Sequence, residues 1–194
     1  ITSGGGFNQA LNAIQQMSRL SVDKFDFSVV TPAKENIDSL KRLNIKADYV
    51  AITLLDKILS RLFPGRIWGR ILATLKIVGP FEKELIKQNC DLVYLVEQSS
   101  RAECLQNLNF IETVHDLCHQ DQLEFPEVRN FGEFRSRELV FQNTLKCAFI
   151  VMADSEELAD KINSRYGVDR DRIVTMPFSP SPFLKEPQVS NSVN

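Results

Sequence analysis

At 194 residues with 43% hydrophobic content, the chain is long enough to bury a sizeable core and most simply forms one domain. A formal net charge of -2 gives no electrostatic case for a nucleic-acid partner, and no apolar run approaches the roughly 20 residues needed to span a bilayer. Cys90, Cys104, Cys118 and Cys147 show no paired spacing, which points to reduced thiols in a cytoplasmic protein rather than to a disulfide framework.

The first candidate in chain order is Ser3-Gly4-Gly5-Gly6-Phe7-Asn8, placed just before an amphipathic helix on which Phe7, Leu11, Ile14 and Met17 share one face. Glycines at 4, 5 and 6 let the backbone approach an anion, and the following helix offers free N–H groups, so a phosphate contact and a plain turn into a helix both fit. The run is neither a P-loop nor a GxGxxG fingerprint. Nothing at the amino end reads as a signal peptide. The opening Ile1 and the polar run 188–194 read as cuts in something longer.

Short β-branched or aromatic runs at 25–30, 47–52, 91–96, 110–114, 149–152 and 172–176 predict six strands, alternating with amphipathic helices. That alternation is the pattern of a parallel α/β sheet covered on both faces. Phe131, Phe134, Phe141, Leu145 and Ala148 predict a second helical stripe facing the core. Asp154-Ser155-Glu156-Glu157 supplies a cap and early acidic residues to a helix running to Tyr166, and Gly167 closes it in the left-handed conformation, with the last strand following at once. Pro177, Pro180, Pro182 and Pro187 then form an extended exit.

Residues 57–76 stand apart. They carry Lys57, Arg61, Arg66, Arg70 and Lys76 with no acidic residue, interleaved at helical spacing with apolar side chains including Trp68, and broken by Pro64-Gly65 into two short helices. Basic amphipathic helices bearing Trp lie at anionic membrane surfaces. An ordinary helical pair that packs its apolar side on the sheet and solvates its charges fits the pattern equally.

The densest chemistry lies in 110–119, where an apolar strand ends on His115-Asp116. In an open α/β sheet, residues after a strand sit at the carboxyl edge, where ligands bind. His115 there suits a proton carrier or a hydrogen-bond donor to substrate, and also a packed residue with no role. His119, four residues on, brings zinc to mind, yet HExxH spacing and a second ligand pair are both missing, so no metal is expected.

With these residues in order, a resemblance emerges. Thr113-Val114-His115-Asp116-Leu117-Cys118-His119, Phe125-Pro126, the stretch 135–148 leading into Phe149-Ile150-Val151-Met152-Ala153-Asp154-Ser155, and Tyr166-Gly167-Val168 with Arg172-Ile173-Val174-Thr175-Met176-Pro177 resemble the amino-terminal half of a retaining GT-B glycosyltransferase. The resemblance is to the glycogen-synthase-like group that includes many bacterial mannosyltransferases. It is good over 108–183, fair across the glycine run, and does not extend over 53–80.

What the resemblance implies is a Rossmann-like domain over 1–183, with 184–194 a polar linker toward a second, donor-binding domain. The function implied is acceptor binding in transfer of a hexose, such as mannose, from a nucleotide sugar to a glycan or lipid-linked acceptor with retention. The nucleotide sugar is then a substrate and no separate cofactor is implied. His115 would lie near the transferred sugar as a catalytic residue with Asp116 orienting its loop, Gly4, Gly5 and Gly6 near the donor diphosphate, and Arg61, Arg66, Trp68 and Arg70 at an acceptor or membrane surface on the cytoplasmic side. Ser155 falls where the family often has a serine. No Glu-x7-Glu pair occurs in the chain, and that pair belongs to the donor-binding domain, so the isolated domain is expected to be inactive. Two readings from other classes stand beside this one: a free-standing nucleotide-binding Rossmann or flavodoxin-like module, and a membrane-surface interaction module.

Overall fold

Each of the six expected strands forms, and each runs parallel to its neighbours, in the computed structural model of the chain, which describes residues 5–20, 24–63 and 66–177. The order of elements is α1 (Gly5–Met17), β1 (Val29–Thr31), α2 (Lys34–Arg42), β2 (Ala47–Tyr49), α3 (Leu54–Leu62), α4 (Arg66–Thr74), α5 (Pro80–Lys87) and β3 (Leu92–Leu95). There follow β4 (Asn109–Val114), α6 (Cys118–Asp121), α7 (Pro126–Arg129), α8 (Glu133–Thr144), β5 (Ile150–Ala153), α9 (Glu156–Tyr166) and β6 (Ile173–Thr175). The architecture is α/β, with parallel sheets flanked by helices in the Rossmann-like manner.

The strands divide into two sheets, β1-β2 and β3-β4-β5-β6. β1 is shorter than the apolar run 25–30 because its partner sets its length. After α2 the chain turns through Asn44 at φ 58, and pairing starts at Val29 with Ala47. In the larger sheet the register places Leu95, Glu112, Val151 and Ile173 in one row and Thr113, Met152 and Val174 in the next. Side chains alternate along a strand, so these rows lie on opposite faces.

The two faces are covered unequally. The row with Leu95 and Val151 packs into the main core with Phe81 and Leu85 of α5, Phe141 of α8, and Leu158, Ala159 and Ile162 of α9. Phe141, 1% exposed, contributes about 2–3 kcal/mol by burial alone. On the other face, Leu92 and Val174 remain 43% and 42% exposed, and α1 lies over the carboxyl end of the strands. That leaves the sheet's carboxyl edge open to solvent beside a helix flank.

Two buried carboxylates hold the elements that lead into β4. Asp56, 1% exposed, closes a capping box with Thr53 at the start of α3 and also accepts from the Phe81 N–H at 2.9 Å, capping the first turn of α5. Gly79, which precedes that turn, has no room for a side chain, since a Cβ there would stand 2.5 Å from Asp56 Oδ1. Glu82, wholly buried, accepts through Oε1 from the backbone N–H groups of Gln106, Asn107 and Leu108 at 2.8, 2.6 and 2.8 Å.

The carboxyl half of the chain follows its expected caps. Ser155 accepts from the Leu158 N–H at 3.3 Å, and Gly167 ends α9 at φ 65, where a side chain would be strained. A 3-10 turn, Arg170–Arg172, intervenes before β6, so the strand does not follow at once. The stripe expected on α8 is core only at its carboxyl end. Phe141, Leu145 and Ala148 are buried while Phe134, in the first turn, is 38% exposed; α8 itself ends at Thr144, so Leu145 and Ala148 lie in the turn beyond it. The Phe131 side chain, the break at Pro64-Gly65, and Pro180, Pro182 and Pro187 with the 183/184 boundary lie outside the described residues.

Candidate active site

The parallel register and the placement of α1 together build a cleft at the carboxyl edge of β3-β4-β5-β6. Its walls are Gln9, Asn12 and Gln16 on α1, Tyr94 and Val96 at the end of β3, Thr113 and His115 at the end of β4, Met152 and Asp154 at the end of β5, and Met176 and Pro177 beyond β6. It is shallow and open to solvent: about 30 Å³ of it is enclosed, room for about one water molecule or a single ligand hydroxyl rather than for a whole ligand. Tyr94, Thr113 and Met152 on its floor come from the less covered face of the sheet, and Val114 and Ala153 of the core face reach it at the strand ends. Thr113 is fixed there by donating to the Leu95 carbonyl at 2.7 Å, and burial pushes the Tyr94 phenol above its ordinary pKa, so it stays a neutral donor.

His115 and Asp116 part company. His115 lines the cleft. Asp116 turns away from it: Oδ1 accepts from the Cys118 N–H at 2.9 Å and lies 3.5 Å from Arg137 Nη1. This bond two residues along the chain is an Asx-type turn, and it sets the loop that carries His115 while the Asp116 carboxylate stays out of the cleft. Ser155 acts likewise as a helix cap, donating to Asp154 Oδ1 at 3.0 Å. Burial, with the Asp116 charge adding to it, pushes the Cys118 thiol up, so it is no thiolate nucleophile.

The glycine run enters the site differently from the expectation. Gly5 and Gly6 form the first turn of α1 rather than a loop before it, and Gly4 lies outside the described residues. Gly6 does not line the cleft, which α1 meets along its flank at Gln9, Asn12 and Gln16. The basic stretch is not part of the cleft either. Arg61 and Arg70 are exposed on α3 and α4, Arg66 and Trp68 belong to α4 by their backbone, and their side chains lie outside the described residues.

A buried polar network that the sequence did not announce anchors the far side of the His115 loop. His119 is wholly buried, with Nε2 at 3.1 Å from Glu138 Oε2. The same oxygen accepts from Gln120 Nε2 at 2.7 Å and the Tyr166 hydroxyl at 2.9 Å. A carboxylate can only accept, so the His119 proton sits on Nε2. Burial raises the Glu138 pKa, but the bonds from Gln120, Tyr166 and His119 outweigh it and hold the carboxyl below its ordinary value. Asp121, paired with Arg165 at 2.6 Å and Lys161 at 3.0 Å, extends the clamp from α6 to α9. His119 is thus a structural residue facing away from solvent, and among the described residues no group of three acidic, His or Cys side chains is placed to hold a metal ion.

What this cleft can do follows from its donors and acceptors. Three side-chain amides, a hydroxyl, a phenol, an imidazole and one carboxylate face it, beside the apolar surfaces of Val96, Met152 and Met176. Among its described walls there is no Lys or Arg. Such a surface suits a neutral, hydroxyl-rich ligand, and it leaves a nucleotide's phosphates without a counter-charge. No protein-family model matches the chain, and no curated protein matches it.

Proposed function

We propose that this chain is the acceptor-side domain of a retaining glycosyltransferase, with the cleft beside His115 receiving sugar hydroxyls and a second domain holding the nucleotide of the donor. One observation carries the reading: Gln9, Asn12, Gln16, Thr113 and His115 converge on the carboxyl edge of the sheet with no Lys or Arg among the described walls. Amides and an imidazole discriminate hydroxyl groups, whereas a site built to hold a diphosphate alone would carry a cation or an aimed helix terminus. In the transition state of transfer the sugar becomes oxocarbenium-like and the diphosphate leaves. The role assigned to His115 is to hydrogen-bond a hydroxyl of that sugar, and Asp116 holds the loop. No general base is assigned, and hexose transfer to a glycan or lipid-linked acceptor is the substrate class.

Calorimetry and amide NMR on the protein test this. Nucleoside diphosphates and nucleotide sugars should bind at roughly millimolar affinity or give no heat, about -4 kcal/mol or weaker, with any shifts falling on Tyr94, Thr113 and His115. Micromolar binding of a nucleotide would replace the proposal with a free-standing nucleotide module. In the enzyme paired with its donor-binding domain, His115→Ala should lower turnover about a hundredfold, the usual scale for losing one positioned hydrogen bond at the reacting centre. Turnover equal to the wild type would remove His115 from the mechanism.

A further inference from the structure

The outward faces of α3 and α4 are apolar where a water-soluble helix pair would be polar. On α3, Leu54, Leu55 and Ile58 are 73%, 51% and 45% exposed; on α4 Ile67 and Ile71 are 71% and 41% exposed, and Leu75 in the turn after it is 64% exposed. The inner faces are already used, by Leu59 at 8% and Leu72 at 7%, so the exposed side chains are not waiting for the chain's own core. Each helix carries its apolar residues at i, i+4 spacing, with a basic residue three positions after an exposed one: Lys57 after Leu54, Arg61 after Ile58, Arg70 after Ile67. Residues three apart share a helix face, so the cations border the apolar stripes.

The charges are uncommitted as well. Among the described residues, Lys57, Arg61, Arg70 and Lys76 make no ion pair. The adjoining acid, Asp56, is turned inward to Thr53 and Phe81. A second copy meeting the same surface across a two-fold axis would bring like charges together. The charge complement of this surface is anionic.

We propose that α3 and α4 seat the protein on an anionic lipid bilayer, Leu54, Ile58, Ile67, Ile71 and Leu75 entering the headgroup boundary while Lys57, Arg61, Arg70 and Lys76 meet lipid phosphates. No described helix is long and apolar enough to cross a membrane, so the contact lies in the plane of the interface. This docking is independent of the chemistry assigned to the cleft.

Cosedimentation with vesicles of phosphatidylcholine, with and without about one-third phosphatidylglycerol, tests it. The protein should pellet with the anionic vesicles and stay in solution with the neutral ones. Arg61→Gln together with Arg70→Gln should weaken partitioning about 25-fold, at roughly fivefold per charge. Ile67→Ser together with Ile71→Ser should weaken it comparably while circular dichroism and the unfolding midpoint stay unchanged, since both side chains are exposed. Absence of binding to anionic vesicles overturns the proposal. So does equal binding to neutral ones, or a dimer in solution that the Ile67→Ser, Ile71→Ser variant dissolves while vesicle binding persists.

Discussion

Glu112 occupies the middle of β4 with no exposed surface, and the structure predicts that it costs stability at neutral pH. Its Oε1 faces the Ser99 N–H at a long 3.4 Å, and Oε2 has no partner among the described residues. Burial pushes its pKa from 4.5 to about 8, opposed by the Ser99 N–H and reinforced by the Glu103 charge. Because the folded value is the higher one, the folded protein holds a proton that the unfolded chain releases. Stability from this group is complete below about pH 4.5, declines as pH rises, and levels off above about pH 8. At about 1.4 kcal/mol per unit, the window spans about 4–5 kcal/mol, of which about 3 kcal/mol is already lost at neutral pH. Glu112→Gln keeps the shape and removes the titration. Urea unfolding of both proteins across this range, compared by difference so that other titrating groups cancel, should show the variant gaining on the wild type by about 4 kcal/mol from the acid to the alkaline end. Parallel stability profiles, differing by a constant, would refute the reasoning.

Other expectations follow from the same kind of accounting. Glu82→Ala leaves three backbone N–H groups before β4 without their acceptor; at about 1.5 kcal/mol for each bond to a charged group it should cost about 4.5 kcal/mol and lower the unfolding midpoint by roughly 10–15 °C, read by calorimetry. If Asp116 orients a loop, Asp116→Asn, which can still accept from the Cys118 N–H, should stay within about 0.5 kcal/mol of the wild type, while Asp116→Ala should lose about 1 kcal/mol in denaturant unfolding. Equal effects of the two would mean the carboxylate charge, not the turn, is what matters there.

Much of this fold could be read from residue order, and the reasons for the remainder are physical. Runs such as 91–96 and 110–114 identify strands because buried parallel strands are continuous stretches of β-branched and aromatic residues. Their lengths are not local: Phe25 is 58% exposed because β2 gives β1 only three pairing partners. His115 could be placed at an edge from the strand before it. Its neighbours Tyr94, Thr113 and Asp154 could not, since they converge only through the register of three strands and the position of α1. Glu82 and Glu112 look in sequence like ordinary solvated charges. One is a buried acceptor for a loop and the other a buried acid without adequate partners, a distinction that depends on which backbone N–H groups reach them.

The separation of β1-β2 from β3-β4-β5-β6 has a consequence for how the molecule comes apart. A two-strand ladder of three residue pairs is marginal on its own, and among the described residues Val30, Val50 and Ile52 pack it against the main core, while no strand pairing joins it to the larger sheet. The β1-α2-β2 segment is therefore expected to open at a lower free energy than the four-strand sheet. Amide exchange should then be faster over residues 29–49 than over β3, β4 and β5, which carry the cleft floor.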